Sequence, residues 1–233
     1  MKIPVIINNR DLDPGRLIGQ VERLCGGEIH LIDNASTYPP LVRFLDEFAA
    51  DFHGTLHIHR FGNQGPRAAC TVVNQLRASW TARGITHYAT TDSDLDLEGV
   101  RADLLGQFAA ILDADSQLVK VGSALRINDL PNTPLADYAR TAEQKFWVDR
   151  YPTDIVPDLC YRGDLGETLA VYRLNPAWSG DYGPAVRVAG RYQVRHVPWY
   201  HTTENRPADH CWYIDHCRTD WTVYTARSDH QST

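Results

Sequence analysis

HYATTDSDLDLEG, residues 87–99, is a β-favouring run that ends in three acids at alternate positions, Asp92, Asp94 and Asp96. A strand entering a loop leaves its last side chains at the rim of a sheet. Carboxylates are costly there unless water, a cation or a hydrogen-bond donor neutralises them. Three readings are open. In a calcium loop of the EF-hand type the three acids would take the first, third and fifth positions, but Leu97 and Asp103 then stand where a glycine and a glutamate are required. The residues before Asp92 also read as strand and not as helix. As helix caps, Asp96 and Glu98 would serve a helix starting near Gly99 or Val100, while Asp92 and Asp94 come too early for that role. As a divalent-metal site holding a diphosphate, Asp92 and Asp94 would offer hard oxygen ligands suited to magnesium or manganese. A bare Asp-x-Asp decides nothing until the rest of the chain builds a pocket around it.

Outward from this stretch, strands and helices alternate. The opening IPVIINN (3–9) is a short β-branched run ending in polar residues, which suits a buried parallel strand. Asp13-Pro14-Gly15 turns into a helix with Leu17, Ile18, Val21 and Leu24 on one face, stopped by Gly26-Gly27. EIHLIDN (28–34) is the second strand, Tyr38-Pro39-Pro40 opens the helix LVRFLDEFAADF (41–52), and TLHIHRF (55–61) is the third strand. The loop FGNQGPR (61–67) leads to a helix from about Ala68 to Arg83, and ITHYATTDSD (85–94) is the fourth strand. This order predicts an α/β fold with a mostly parallel central sheet, in which ligands bind outside the carboxyl ends of the strands. Those ends carry Asn8, Asn9 and Arg10; Asp33 and Asn34; Gly62 to Arg67; and Asp92 to Asp96. A single polar strand end is commonly a cap or turn former. Four on one rim fit that reading less well.

After Gly122 the alternation stops. Strand-like segments QLVKVGSALRI (117–127), ETLAVYRL (167–174) and RYQVRHVPWY (191–200) alternate with Pro-rich loops and one helix, PLADYARTAEQKFWVDRY (134–151). A mixed, partly antiparallel half is expected here, shaping a surface for a second substrate. No repeat or flexible linker divides the chain, so one domain over residues 1–233 is expected, with 1–98 a nucleotide-binding half and 99–233 an acceptor-binding half.

The bulk composition agrees. With 233 residues and 43% hydrophobic content the chain can bury a substantial core. No run of apolar residues is long enough to span a membrane, and the N-terminus leaves no room for a signal peptide, so a cytoplasmic location is expected. The net charge of −6 argues against nucleic acid or an anionic membrane as the main partner, though not against a nucleotide ligand. Five cysteines without close CxxC spacing make no disulfide framework.

Several stretches together resemble the nucleotide-sugar-dependent glycosyltransferases of GT-A fold, and more narrowly a bacterial, family 2-like group within them. They are IINNRD (6–11), LIDNASTYPPL (31–41), NQGPRAA (63–69), TTDSDLD (90–96), VKVGSALRINDLP (119–131), EQKFW (143–147), LAVYR (169–173) and VRHVPWY (194–200). The resemblance implies a Rossmann-like single domain that binds a nucleotide-sugar donor, in the first instance a UDP-sugar, with manganese or magnesium. It places Asn8, Arg10 and Asp33 beside the nucleoside, and Asn63, Gly65 and Arg67 near the base, ribose or diphosphate. Asp92 would reach ribose or metal and Asp94 would bind metal, with His196 against the diphosphate or its cation. Elementary chemistry agrees with these roles, because sugar transfer develops negative charge on the leaving phosphate that a cation stabilises.

The acceptor, a saccharide or small molecule of unstated identity, needs a base for its hydroxyl if the configuration inverts. Glu143 matches a family glutamate and is the first candidate, with Asp181 in WSGDYGP (178–184) the second. Where the family carries an aspartate before the LAVYR-like strand, this chain has Gly166, with Asp164 and Glu167 nearby. Two further clusters invite a metal reading. His57 and His59 alternate on a strand and are expected to be exposed strand histidines. His210, Cys211, His216 and Cys217 do not match a structural zinc spacing and are expected to form an aromatic lid with Trp212 and Tyr213. Trp178, Trp199 and Tyr200 could stack on a sugar, though aromatics are more often core. The rivals are a sugar-nucleotide binder without catalysis and, more distantly, a sugar nucleotidyltransferase.

Overall fold

Residues 2–51, 56–166, 168–174 and 183–216 are described by the computed structural model. The first half follows the expected alternation. It runs β1 (Val5–Asn9), α1 (Pro14–Leu24), β2 (Ile29–Asn34), α2 (Pro39–Asp51), β3 (Leu56–Phe61), α3 (Arg67–Ala82) and β4 (His87–Asp92). Local chemistry explains the boundaries. Asp13 caps α1 by accepting the N–H groups of Gly15 and Arg16, Pro14 stands in the first turn, and Leu17, Val21 and Leu24 are buried. The turn after α1 passes so close to β1 that a Cβ on Gly27 would lie 2.6 Å from the Ile3 carbonyl oxygen.

β1 pairs in parallel with β2 on one side and β4 on the other, and β2 pairs in parallel with the edge strand β3. The chain thus moves outward through β2 and β3, then returns by α3 to place β4 on the far side of β1. Connections leave β1 and β4 in opposite directions, which opens a crevice at their carboxyl ends. Asn8 and Asp92 are neighbours in register at that point. Val5, Ile6 and Ile7 have no exposure at all, as befits a strand covered on both faces.

The remaining elements are β5 (Leu95–Asp96), α4 (Leu104–Ala114), β6 (Lys120–Ser123), α5 (Pro134–Glu143), β7 (Arg150–Tyr151), β8 (Cys160–Arg162), β9 (Ala170–Arg173), β10 (Ala185–Val188), β11 (Arg195–His196) and α6 (Ala208–His216). Among the described residues one nine-stranded sheet runs β3-β2-β1-β4-β9-β6-β10-β8-β7 through both halves, and β5 pairs with β11 separately. β9 lies antiparallel between β4 and β6, so the mixed half is built onto the parallel half. The α/β class with parallel N-terminal strands and a mixed second half is therefore as expected. No described helix is long and apolar enough to cross a membrane. Four described cysteines, Cys25, Cys70, Cys160 and Cys211, are free thiols.

Local expectations fail where tertiary contacts win. The helix expected from Gly99 begins only at Leu104. Gly99 has φ +73°, outside the helical region, and Asp96 accepts the Glu98 N–H at 2.8 Å in a turn. The segment 134–151 is helical only to Glu143 and continues as a 3-10 turn and a short strand. There Phe146 and Trp147 leave the helix axis to cover the Arg187 guanidinium and Tyr161. RYQVRHVPWY contributes two strand residues, flanked by 3-10 turns that start at Gly190, with φ +63°, and run through Pro198.

Candidate functional site

A cavity of about 350 Å³ lies at the crevice between β1 and β4. Its floor is Asn8 and Asn9 from β1 and Arg10 just after it, with Asp92, Ser93 and Asp94 from β4 and the turn after it. Asn63 and Gly65 form the side toward β3, and His196 stands opposite on β11.

Buried carboxylate and amide groups fix the rim. Asp11, with φ +55°, accepts the Tyr38 N–H at 2.7 Å and the Thr37 N–H at 2.5 Å, tying the end of β1 to the loop after β2. Asn34 then ties that loop to the next, accepting from the Gln64 N–H at 2.8 Å and donating to the Gly65 carbonyl at 2.9 Å. Three loops separated in sequence become one surface. Asp11 takes two of these backbone N–H groups on one oxygen and so anchors the rim at its β1 end.

The small β5–β11 sheet brings the late histidine to the acids. His196 is opposite Leu95 in register, its Nε2 lies 3.3 Å from Asp94 Oδ2, and the Val197 N–H donates to the Asp94 carbonyl at 2.9 Å. Gln20 of α1 supports the same turn, donating to the Leu95 carbonyl at 2.8 Å. Asp94 Oδ1 is buried without a hydrogen-bond partner, as are the Asn9 amide atoms and Asn8 Oδ1 beside it. A buried carboxylate oxygen in that condition is costly, and its place beside the His196 imidazole, on a cavity that Asp92 also lines, suits a divalent cation with mostly oxygen ligands.

Helix α6 closes the cavity from the far end of the chain. Asp209, 3% exposed, accepts the Asp13 N–H at 2.9 Å and lies 3.4 Å from Arg16 Nη2. Trp212 donates to the Thr37 hydroxyl at 3.0 Å, and its ring packs against Tyr38. His201 and His210 meet through their Nδ1 atoms at 2.5 Å on the cavity wall. Burial pushes His201 down to about 4, helped by Arg16, and His210 down to about 3, helped by His201, so both rings are neutral at neutral pH.

Of the residues singled out by sequence, the cavity gathers Asn8, Arg10, Asn63 and Gly65 with Asp92, Asp94 and His196. Asp33 lies at the end of β2, where it accepts the Ser36 N–H at 2.9 Å, and Arg67 is exposed in the first turn of α3; neither lines the cavity. Glu143 is also outside the lining. Its carboxylate takes a hydrogen bond from Arg187 Nη1, and that guanidinium also donates to the Asp164 carbonyl. Asp181, with Trp178 and Glu167, is outside the described residues. The His57 and His59 expectation holds for His57, which is exposed, while His59 is half-buried against His30. In the C-terminal cluster Cys211 is exposed, His216 binds the Trp212 carbonyl at 2.9 Å, and Cys217 is outside the described residues. The segment, expected as a helix or strand around Trp212 and Tyr213, is helical.

Sequence reasoning missed Asp11, Arg16, His201, Asp209 and His210 as parts of the cavity. Asp11 was within reach, since it ends the IINNRD stretch; the others carry no local signal, because what they touch lies far away in sequence.

No protein-family model matches the chain, and no curated protein matches it. Among solved structures it is similar to GalNAc-T7 with UDP, GalNAc and Mn2+, at 16% identity and a TM-score of 0.49 over 84% of this chain and 44% of that one. It is similar also to the mannosyltransferase PcManGT from Pyrobaculum calidifontis in complex with GDP-Man and Mn2+, at 20% identity and a TM-score of 0.40 over 74% of this chain and 44% of that one. The chain spans less than half the length of either.

Proposed function

We propose that this protein is a divalent-cation-dependent glycosyltransferase that takes a sugar from a nucleotide-sugar donor, in the first instance a UDP-sugar, to an acceptor hydroxyl. The observation that carries this reading is the contact of Asp94 with His196 at the β1/β4 crevice, on a cavity wall that Asp92 also lines, with a carboxylate oxygen of Asp94 left without a partner. Asp92, Asp94 and His196 would hold manganese or magnesium. Bound there, the cation would neutralise charge that develops on the leaving diphosphate.

The chain's own groups divide the remaining work. Asn8 and Arg10 would border the nucleoside at the end of β1, and the Asn63–Gly65 turn would face it across the crevice, while Asp33, engaged with the Ser36 N–H, lies off the lining. Arg16 adds a fixed positive charge at the cavity wall, a role that Arg67 is less well placed to take. The engagement of Glu143 with Arg187 favours a second reading, in which the protein binds the donor without transferring the sugar. A donor incubated with manganese and no added acceptor separates the two, because slow metal-dependent hydrolysis belongs only to the transferase.

The test is calorimetric titration with UDP, GDP, CDP and TDP, each with and without manganese, on the native chain and on Asp94→Ala. A ligand bound only by the folded state also raises its unfolding temperature. Metal-dependent binding of one nucleotide, lost in Asp94→Ala while the fold is retained, is the expected result. Absence of any response in the native chain overturns the proposal.

A further inference from the structure

A second constellation lies at the other end of the strands. His30 on β2 and His57 on β3 are partners in register, and His59 stands two residues along β3, so period-two alternation puts the three imidazoles on one face. They sit about 13 Å along the sheet from Asn34 at the crevice. α3 covers the inner part of this face, where the Trp80 ring lies 5.5 Å from that of His30, which is 2% exposed. His57 is exposed and His59 half-buried, so the group opens to solvent at the edge strand.

Hydrogen bonds orient His30 and His59, while His57 stacks on His30. Glu28 Oε1 lies 3.0 Å from His30 Nε2, and the carboxylate is itself held by Arg83 at 2.7 and 2.8 Å and by the Trp80 indole N–H. A carboxylate that already accepts from Arg83 and Trp80 accepts from His30 as well, which fixes His30 as the tautomer with hydrogen on Nε2. The lone pair of His30 Nδ1 then points at His59 Nε2, 3.0 Å away. One ligand atom from each of Glu28, His30 and His57 falls within 4.8 Å of the others. A carboxylate that orients one imidazole nitrogen and leaves the other facing a neighbouring imidazole is the outer-shell arrangement of protein metal sites.

We propose that His30, His57 and His59 form a binding site for one borderline transition ion of the zinc type, with Glu28 as the outer partner of His30. Two imidazole nitrogens each about 2.05 Å from a tetrahedral zinc ion stand about 3.3 Å apart, so the His30–His59 pair needs to open by only a few tenths of an ångström. The ion replaces the hydrogen bond between those rings, which turn toward it, and His59 carries its hydrogen on Nδ1 instead, so the rings lose no net proton. His57, now stacked on His30 with centroids 4.8 Å apart, is exposed and turns about its side-chain torsions to supply the third nitrogen. Water takes the fourth position. A nitrogen-rich donor set selects zinc over the manganese or magnesium favoured by the oxygen-rich crevice, so the two sites differ in chemistry as well as place.

The experiment is equilibrium dialysis against zinc alone, on the chain without a polyhistidine tag, comparing the native protein with His57→Ala, His59→Ala and Asp94→Ala. One zinc per chain is expected in the native protein and in Asp94→Ala, with binding at least tenfold weaker in each histidine variant. Zinc should also raise the unfolding temperature of the native chain and leave that of His59→Ala unchanged. Should His59→Ala fail to fold, His59→Gln replaces it, since the amide preserves a hydrogen bond to His30. The proposal is overturned if the native chain binds no zinc, if the histidine variants bind it as well as the native chain, or if only Asp94→Ala loses it.

Discussion

The Asp209 carboxylate accepts the backbone N–H of Asp13 at 2.9 Å, joining residues 196 positions apart at the mouth of the cavity. Asp13 caps α1 with its own side chain, so one helix start is capped by Asp13 and braced by Asp209. Arg16 completes the group, 3.4 Å from Asp209 Oδ1.

Asp209→Ala should therefore loosen α6 from α1. Leaving a buried donor unpaired costs about 1–3 kcal/mol, and Asp209→Asn, which keeps one acceptor, should cost less. Urea midpoints read the stability, and limited proteolysis near residue 208 reads the detachment. Donor binding should weaken in parallel, because Arg16 and His210 lose their positions on the cavity wall.

Asp11 gives a prediction about the rim itself. With φ +55° and two backbone N–H groups donating to one carboxylate oxygen, it does work that alanine cannot do. Asp11→Ala should destabilise by about 2–4 kcal/mol, while Asp11→Asn, tolerant of the left-handed region and still an acceptor, should recover part of that. Equal unfolding midpoints for both variants and the native chain would contradict the clamp.

Glu143 separates a structural role from a catalytic one. Removing one partner of a buried ion pair leaves the other charge uncompensated, so Glu143→Ala should cost about 3 kcal/mol, and Glu143→Leu combined with Arg187→Met should regain much of it. Turnover per folded molecule should change little. A collapse of kcat at unchanged stability would instead make Glu143 the base.

Acid should destabilise the protein earlier than carboxylate titration alone predicts. His30 and His201 are held down to about 4 and His210 to about 3, all by burial, against 6.5 for a free imidazole. Above pH 6.5 neither state is protonated and the full stability is present. As pH falls from there toward 4 the unfolded chain takes up protons that the folded chain does not, and each such histidine loses about 1.4 kcal/mol per pH unit. Glu28, held down to about 2, adds its own loss only below pH 4.5. Urea midpoints measured in chelator between pH 7.5 and 5 should fall steadily, and a flat profile would refute the neutral histidines.

Much of the first half was legible from sequence because its signals are local. The β-branched runs, the Asp13 cap with Pro14, and the glycines after α1 each act within a few residues, and alternation of strand and helix permits few sheet orders. The position of the Asp-x-Asp pair at a strand end follows from the same local pattern. The second half depended on long-range pairing. Whether VRHVPWY becomes strand, turn or ligand depends on β5 being there to receive two of its residues, and a two-residue ladder leaves no periodicity to read. Glu143 looks like a surface acid in the sequence and acquires its character only from Arg187, 44 positions later. Only the folded chain brings His30 against His57 and His59, or Asp209 against Asp13, since side-chain periodicity tells which face of an element a residue occupies and register alone tells what it meets there.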